Sequence, residues 1–175
     1  DMTGVQHSRF AAVLAGWRAL GAQDWRRLFD LERALRMTRV SDLWAPQAAR
    51  LQAEWRLRAD DPDGSYSRDA LALIDTPIST NPTLEAYAIR ARIGRKLGDS
   101  AVLIESVAFM LREIDNRLRS VDLYGQIISE PERRWISRQF EAFAADLRGL
   151  LADETSGRAS IVLGQLIELE QQFEA

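Results

Sequence analysis

Apolar residues recur at every third or fourth position along this chain, and no stretch alternates apolar and polar residues. The first run consists of Phe10, Val13, Leu14, Trp17 and Leu20. Spacings of three and four residues place side chains on one face of an α-helix, whereas a half-buried β-strand requires alternation. The sequence therefore predicts an all-α fold without a sheet, with about three quarters of the residues in helices against the usual third.

Prolines, glycines and short polar side chains divide this pattern into separate helices. The residues expected to cap helix N-termini are Asp24, Ser41 or Asp42, Ser67, Asn81 and Asp99. Pro46 and Pro82 are expected in the first turns of the third and fifth helices, where a missing N–H costs little. Pro77 is expected to end the fourth helix. Gly21 is expected to end the first helix in the left-handed conformation, and Gly98 to close the fifth.

The predicted helices fall into pairs over the first two thirds of the chain. The pairs begin near Ser8, Leu43 and Pro82, and these starts are 35 and 39 residues apart. Intervals of this size are typical of two-helix units that stack into a solenoid. We therefore expect three helix pairs, stacked side by side, over residues 1–120.

The last part of the chain has a different pattern. A capping box at residues 129–132 opens a long helix whose apolar residues follow alternating spacings of four and three. A turn near residues 155–157 precedes a final amphipathic helix. We expect residues 129–175 to form a long antiparallel helical hairpin that packs on the last pair, so that the whole chain is one domain.

Two helix ends share the pattern Arg-x-Leu-Gly, at residues 18–21 and 95–98, and each precedes an expected Asp cap. With Pro82, Tyr87 and Ala91, the third pair resembles the tetratricopeptide repeat family, which has a proline, an aromatic residue, a small residue and a Leu-Gly-Asp turn at similar places. The resemblance covers about residues 8–119. It departs from the family pattern in a gap from proline to aromatic that is one residue short, and in a leucine at a position usually held by alanine.

The resemblance implies a function as well as a fold. Proteins of this family use the concave surface formed by the first helix of each pair to hold extended peptides or partner proteins. The positions that it implies for partner binding are Arg18, Arg58, Arg92 and Arg95. We therefore expect a non-catalytic scaffold or interaction module.

Charge is distributed unevenly along the chain. Residues 1–58 contain 10 Arg and 6 acidic residues, a net charge of +4, whereas residues 59–175 contain 13 basic and 20 acidic residues, a net charge of −7. A basic surface on the first helices would attract an acidic protein partner, and salt would weaken that attraction. The overall charge of −3 argues against a nucleic-acid binder held mainly by phosphate contacts.

Four tryptophans lie within the first third of the chain, at positions Trp17, Trp25, Trp44 and Trp55. Each has an arginine nearby in the sequence, which is compatible with stacking on nucleic-acid bases. Adjacent residues on a helix point about 100° apart, however, and the tryptophans follow the apolar stripes. We expect them to pack in the core.

The composition leaves few residues for catalysis or metal binding. The chain has no Cys and one histidine, His7, which excludes thiolate zinc sites, cysteine nucleophiles and histidine pairs. Lys96 is expected beside a helix C-terminus, where its charge suits the helix dipole. Asp61, Asp63 and Gly64 resemble part of a calcium loop but lack its first and twelfth ligands, so they are expected to form a turn. We expect no metal, no cofactor and no catalytic residue.

The sequence leaves the cellular location open. No apolar run is long enough to cross a bilayer, and no signal peptide is visible at the N-terminus. Asp1 precedes Met2, which suggests a segment excised from a larger protein, and a membrane protein is one such parent. Because Lys96 is the only lysine among 23 basic residues, the arginine bias favours a GC-rich bacterial source, in either cytoplasm or periplasm.

Two other functions remain open from the sequence. The heptad-like final hairpin favours a sensory or dimerisation domain of a bacterial membrane receptor, built as a helical bundle and able to form a homodimer. An all-α enzyme is the third interpretation, although no catalytic constellation is apparent. Neither the partner nor the oligomeric state follows from the sequence.

Overall fold

A computed structural model describes residues 2–36, 44–123, 141 and 144–174 of the chain, and the side chains of residues 10–35, 44–116, 141 and 144–171. The described residues form helices without any strand, which confirms the all-α fold. The helices are α1 (Met2–Gly21), α2 (Trp25–Arg36), α3 (Ala45–Arg58), α4 (Ser65–Thr80), α5 (Leu84–Leu97), α6 (Ser100–Leu123), α7 (144–151) and α8 (Gly157–Glu174).

From α1 to α6, each helix packs against the next one in sequence. In addition, α1 packs on α3, α3 packs on α5, and α8 packs on α6. Over the described residues, α2 and α4 do not approach each other, although both flank α3. Helix α3 therefore contacts four other helices: α1, α2, α4 and α5.

The described residues contain three hydrophobic clusters, which follow one another along the chain. The first joins α1, α2 and α3 through residues such as Leu20, Leu28 and Leu51. The second joins α3, α4 and α5 around Ile74 and Ile93. The third joins α5, α6, α7 and α8 and is the largest. Each cluster is therefore built from helices that are close in sequence.

Several helix ends lie where the sequence predicts them. Asp24 caps α2, because its Oδ1 accepts a hydrogen bond from Arg27 N at 3.0 Å. Asp99 caps α6 in the same way, with Val102 N at 3.0 Å. Pro46 lies in the first turn of α3, and Gly98 ends α5 in the left-handed conformation with φ of 67°.

The end of α1 differs from the prediction in one residue. Gly21 ends the helix, but the left-handed residue is Gln23, with φ of 55°. The chain continues past Gly21 until Asp24 N donates to the Ala19 carbonyl at 2.9 Å, and this closing bond requires the left-handed conformation at Gln23. The expectation of a left-handed Gly21 was wrong. It followed from the preference of glycine for this conformation, but the closing turn extends two residues further, to Gln23.

Helix α4 begins earlier and ends later than predicted. It starts at Ser65, and Ser67 is fully buried and donates its hydroxyl to Asp61 at 2.6 Å instead of capping the helix. At the other end, α4 continues through Pro77 to Thr80. A proline so near the end removes one helical hydrogen bond, and Asn81 N still donates to the Pro77 carbonyl at 2.8 Å to close the last turn.

The start of α5 is also displaced from its predicted position. Thr83 is the N-cap, and its hydroxyl accepts a hydrogen bond from Ala86 N at 3.3 Å. Asn81 instead terminates α4, so that Pro82 precedes α5 and does not lie in its first turn. The prediction chose the wrong one of two polar residues that flank the proline.

One of the four tryptophans expected in the core is exposed. Trp25 and Phe29 lie one turn apart on α2 and face solvent, because Leu28 and Leu35 already fill the face that contacts the first cluster. The other three tryptophans are half-buried against that cluster. The prediction for Trp25 was therefore wrong.

Other predictions fall on parts of the chain outside the described residues. They include the caps at Ser41 or Asp42, the capping box at residues 129–132 and the side chain of His7. Near the predicted turn at residues 155–157, α8 begins at Gly157, and Ser156 Oγ accepts a hydrogen bond from Ala159 N at 3.3 Å.

Candidate partner-binding surface

One face of α3 carries a row of polar side chains. Gln47, Arg50, Glu54 and Arg58 are spaced by three, four and four residues, which places them within about 80° of one another around the helix. We call these four residues the charged row. Ala49, Gln52 and Arg56 lie on the opposite face of the same helix.

Glu54 is the centre of the charged row. Its side chain is only 5% exposed, yet it binds two guanidinium groups whose side chains are 47% (Arg58) and 43% (Arg92) exposed. Arg58 donates from Nε and Nη2 to Glu54 Oε1 at 3.1 and 2.9 Å. Arg92 on α5 donates to both carboxylate oxygens, at 3.0 and 2.7 Å. Two half-exposed cations on one buried carboxylate leave a local charge of about +1.

A close contact between two helices holds α5 in the position that Arg92 needs. A Cβ atom at Gly94 would lie 2.7 Å from the backbone nitrogen of Leu103 and 3.0 Å from Val102 Cγ1 on α6. Only glycine permits backbones to approach this closely. Gly94 therefore fixes the spacing of α5 and α6, and through it the place of Arg92 beside α3.

Two side-chain atoms of the charged row have no hydrogen-bond partner in the described part of the chain. They are Gln47 Oε1 and Arg50 Nε, and both are buried. The Arg50 guanidinium also makes no ion pair with a described residue. Buried polar atoms are normally paired, so these two atoms depart from the usual pattern.

Apolar side chains lie beside the charged row, on the side of α1. Gly16 packs against Leu51, which sets α1 next to α3. The ring of Phe10 on α1 lies 4.8 Å from the ring of Trp44, which precedes α3. Phe10 and Leu14 are both exposed despite this contact. The surface therefore combines a charged part with an apolar edge.

The structure brings together two of the four arginines that the resemblance implies. Arg58 and Arg92 meet on Glu54, as described above. Arg18 is exposed near the end of α1, one turn after Leu14, and pairs with no described residue. Arg95 turns away to the other side of α5, where it donates to the Gly149 carbonyl and, at 3.0 Å, to Asp153 Oδ2.

Sequence reasoning missed Glu54 as the residue that joins Arg58 to Arg92. The spacing of four residues between Glu54 and Arg58 is a visible signal for a helical ion pair. Nothing local connects Glu54 to Arg92, however, because 38 residues separate them in the chain. Their contact follows from the packing of α3 on α5.

The residues considered for calcium binding act as structural caps. Asp61 accepts hydrogen bonds from Tyr66 N at 3.0 Å and Ser67 N at 2.8 Å, ahead of the first turns of α4. Desolvation pushes the pKa of Asp61 upward, but the bonds from Ser67 and Tyr66 outweigh it and hold the pKa below its usual value. Asp63 accepts from Ser65 N at 3.1 Å, which similarly lowers its pKa. These contacts explain both carboxylates as turn residues.

Lys96 lies in the last turn of α5, as predicted, but its ammonium group binds the C-terminal end of α3. The Nζ atom donates to the carbonyls of Leu57 and Ala59, both at 2.9 Å, at the C-terminal end of α3. The favourable interaction with a helix dipole is therefore with α3. Lys96 thus ties the end of α3, which carries the charged row, to α5.

Three further findings concern metal sites, membrane-spanning helices and similarity to known proteins. Within the described residues, no three His, Asp or Glu side chains are grouped so that they could hold a metal ion. None of the helices in that part of the chain is long and apolar enough to cross a membrane. No protein-family model, no curated protein and no solved structure matches this chain.

Proposed function

We propose that this chain is a non-catalytic interaction module that holds an acidic, extended segment of a partner protein. The segment would lie along α1, α3 and α5, the first helices of three pairs stacked in the manner of tetratricopeptide repeats. The packing of α1 on α3 and of α3 on α5 supports this arrangement, because it places these helices side by side.

The charged row and its neighbours carry this proposal. Arg92 and Arg58 keep their guanidinium groups half-exposed while they bind Glu54, and Arg50 and Arg18 pair with no carboxylate among the described residues. The charged row together with Arg92 contains three arginines and one carboxylate, which gives this surface a net positive charge although the whole chain carries −3. Carboxylates of a partner would be attracted to it, and arginine forks bind carboxylates with two parallel hydrogen bonds.

The apolar edge adds a second requirement for the partner. Phe10 and Leu14 are exposed at the end of the surface that is nearer the start of α3. An apolar side chain of the partner would remove part of this area from water, which favours binding by about 25 cal/mol per Å² of apolar surface. We therefore expect the bound segment to combine several acidic residues with one aliphatic or aromatic residue.

The proposal is tested by selection of peptides with a random 12-residue library displayed on phage. Wild-type protein should enrich acidic peptides that contain an apolar residue, and synthetic copies should bind with affinities that fall as salt is raised. The variant Arg18→Glu with Arg50→Gln should lose at least tenfold in affinity for these peptides. Arg92→Glu is unsuitable as a test, because it would place a second carboxylate against Glu54.

The matched control carries the same change of charge on surfaces remote from the charged row. Arg158 on α8 and Arg33 on α2 are both exposed, so Arg158→Glu with Arg33→Gln should bind the selected peptides as the wild type does. Enrichment without acidic residues, or equal loss in the two double variants, would contradict the proposal.

A further inference from the structure

The face of α3 opposite the charged row borders a cavity of about 530 Å³. It lies between α2, α3 and α4, and it exists because α2 and α4 do not pack on each other over the described residues. Its lining includes Leu35, Gln52, Asp69, Thr76 and Pro77. Cavities of 300 to about 1,000 Å³ with an apolar lining and a few polar groups are typical small-molecule sites.

Gln52 lines this cavity and has a hydrogen-bond acceptor that no described residue uses. The residue is 4% exposed, and its Nε2 atom donates to the Ala48 carbonyl at 3.3 Å, which fixes the orientation of the amide. Its Oε1 atom is buried and has no hydrogen-bond partner in the described part of the chain. A buried acceptor without a donor is unfavourable, so a ligand whose entry turns the Gln52 side chain toward the cavity and donates a hydrogen bond to Oε1 would be stabilised.

The one cation among the described lining residues is already neutralised. The Arg56 side chain is only 5% exposed, and its Nη2 atom lies 2.6 Å from Glu32 Oε1. Its Nη1 atom donates to the Gln52 carbonyl at 3.3 Å. Arg56 therefore offers little positive charge to a ligand, because the Glu32 carboxylate compensates its charge and its side chain is buried.

The rest of the described lining is mostly apolar and carries one carboxylate, Asp69. Asp69 is exposed at the cavity and makes no ion pair with any described residue. Pro77 has no N–H to donate to the carbonyl of Leu73, four residues earlier, and Leu73 also lines the cavity. With Arg56 and Glu32 compensating each other, the described lining residues have a net charge of about −1 and an excess of acceptors.

We propose that this cavity binds a small organic cation, with a primary ammonium or guanidinium group on an apolar body. The charged group would donate to Gln52 Oε1 and to the Asp69 carboxylate. The apolar body would contact Leu35, Ala72 and Pro77. This site shares no residue with the charged row and does not depend on peptide binding there.

The experiment uses the full chain and three probes of equal length: hexylammonium, hexanol and hexanoate. Isothermal titration should show saturable binding of hexylammonium at least tenfold tighter than hexanol, and hexanoate should be the weakest. In ¹H–¹⁵N spectra, hexylammonium should shift the side-chain amide signals of Gln52. Equal affinity for hexanoate, or no saturable binding of hexylammonium, would overturn the proposal.

Variants identify the two acceptors. Asp69→Asn should weaken hexylammonium binding about tenfold and abolish its advantage over hexanol, and Gln52→Leu should weaken it by a similar factor. Glu85→Gln removes a charge from an exposed residue that does not line the cavity and should bind as the wild type does. Asp69 is exposed, so Asp69→Asn tests the site even if Gln52→Leu disturbs folding. Unchanged affinity in Asp69→Asn would overturn the proposal.

Discussion

The two faces of α3 carry the same kind of ion pair with the burial reversed. On the charged row, the carboxylate of Glu54 is buried and its arginines are half-exposed. On the cavity face, the guanidinium of Arg56 is buried and held by Glu32 of α2. The arginines of the first pair are half-exposed, whereas neither partner of the second pair is exposed. The charged row presents cations, whereas the cavity presents acceptors and the Asp69 carboxylate.

The largest expected difference between the faces comes from removing the carboxylate on each of them. Glu32→Gln leaves the buried Arg56 guanidinium without a counter-charge, and we expect the free energy of unfolding to fall by about 3 kcal/mol. Glu54→Gln frees two arginines that are already half in water, and we expect a loss of about 1 kcal/mol. Urea denaturation of both variants measures the difference.

A different result is expected if the loss of stability depends only on how deeply the carboxylate is buried. If burial of the carboxylate alone set the cost, Glu54→Gln would be the more damaging change, because Glu54 is the more buried of the two. Equal losses of unfolding free energy in the two variants, or a larger loss for Glu54→Gln, would contradict the expectation that water solvates Arg58 and Arg92 once Glu54 is replaced.

A second prediction concerns a change in α5 that should affect the charged row and leave the cavity unaffected. In Gly94→Ala the new methyl group would meet the backbone of Leu103 at 2.7 Å, so α5 must move away from α6. We expect a loss of about 2 kcal/mol in the free energy of unfolding, as is usual for overpacking. Amide chemical shifts should change around Arg92 and Glu54 and stay constant around the cavity. Equal changes on both faces would contradict the separation.

The smallest expected effect concerns the end of α3 that both faces share. Lys96→Met removes two hydrogen bonds to the carbonyls of Leu57 and Ala59, and we expect a loss of about 1 kcal/mol in urea denaturation. Lys96→Arg keeps a cation with several donors and serves as the control, with less than half of that loss. A Lys96→Met variant as stable as the wild type would show that water replaces the ammonium group.

Local features of the fold could be predicted from the sequence, because they depend on residues a few positions apart. The caps by Asp24 and Asp99 each involve a backbone N–H three residues later. The left-handed Gly98 is equally local. Helix periodicity similarly establishes the all-α class, since it depends only on side chains within one helix.

Features that depend on how the helices pack against one another could not be predicted from one sequence. Trp25 follows the apolar stripe of α2 and is nonetheless exposed, because no described helix covers that side of α2. The contact of Arg92 with Glu54 joins helices that are 38 residues apart. Pro77 is a strong local signal for a helix end, but α4 continues for three residues beyond it. Arg58 and Arg92 could be named in advance, whereas the contact of Arg92 with Glu54 could not.

The position of Lys96 has a consequence for covalent chemistry on this protein. It is the only lysine in the chain, so its ε-amine and the N-terminal amine are the groups that acylating reagents attack. Because the same nitrogen donates to two carbonyls at the end of α3, acetylation or coupling of a dye would neutralise it and remove donors from that end. Amine-directed labelling therefore acts on the helix that carries both faces, and labels are better attached through an introduced cysteine in a chain that has none of its own.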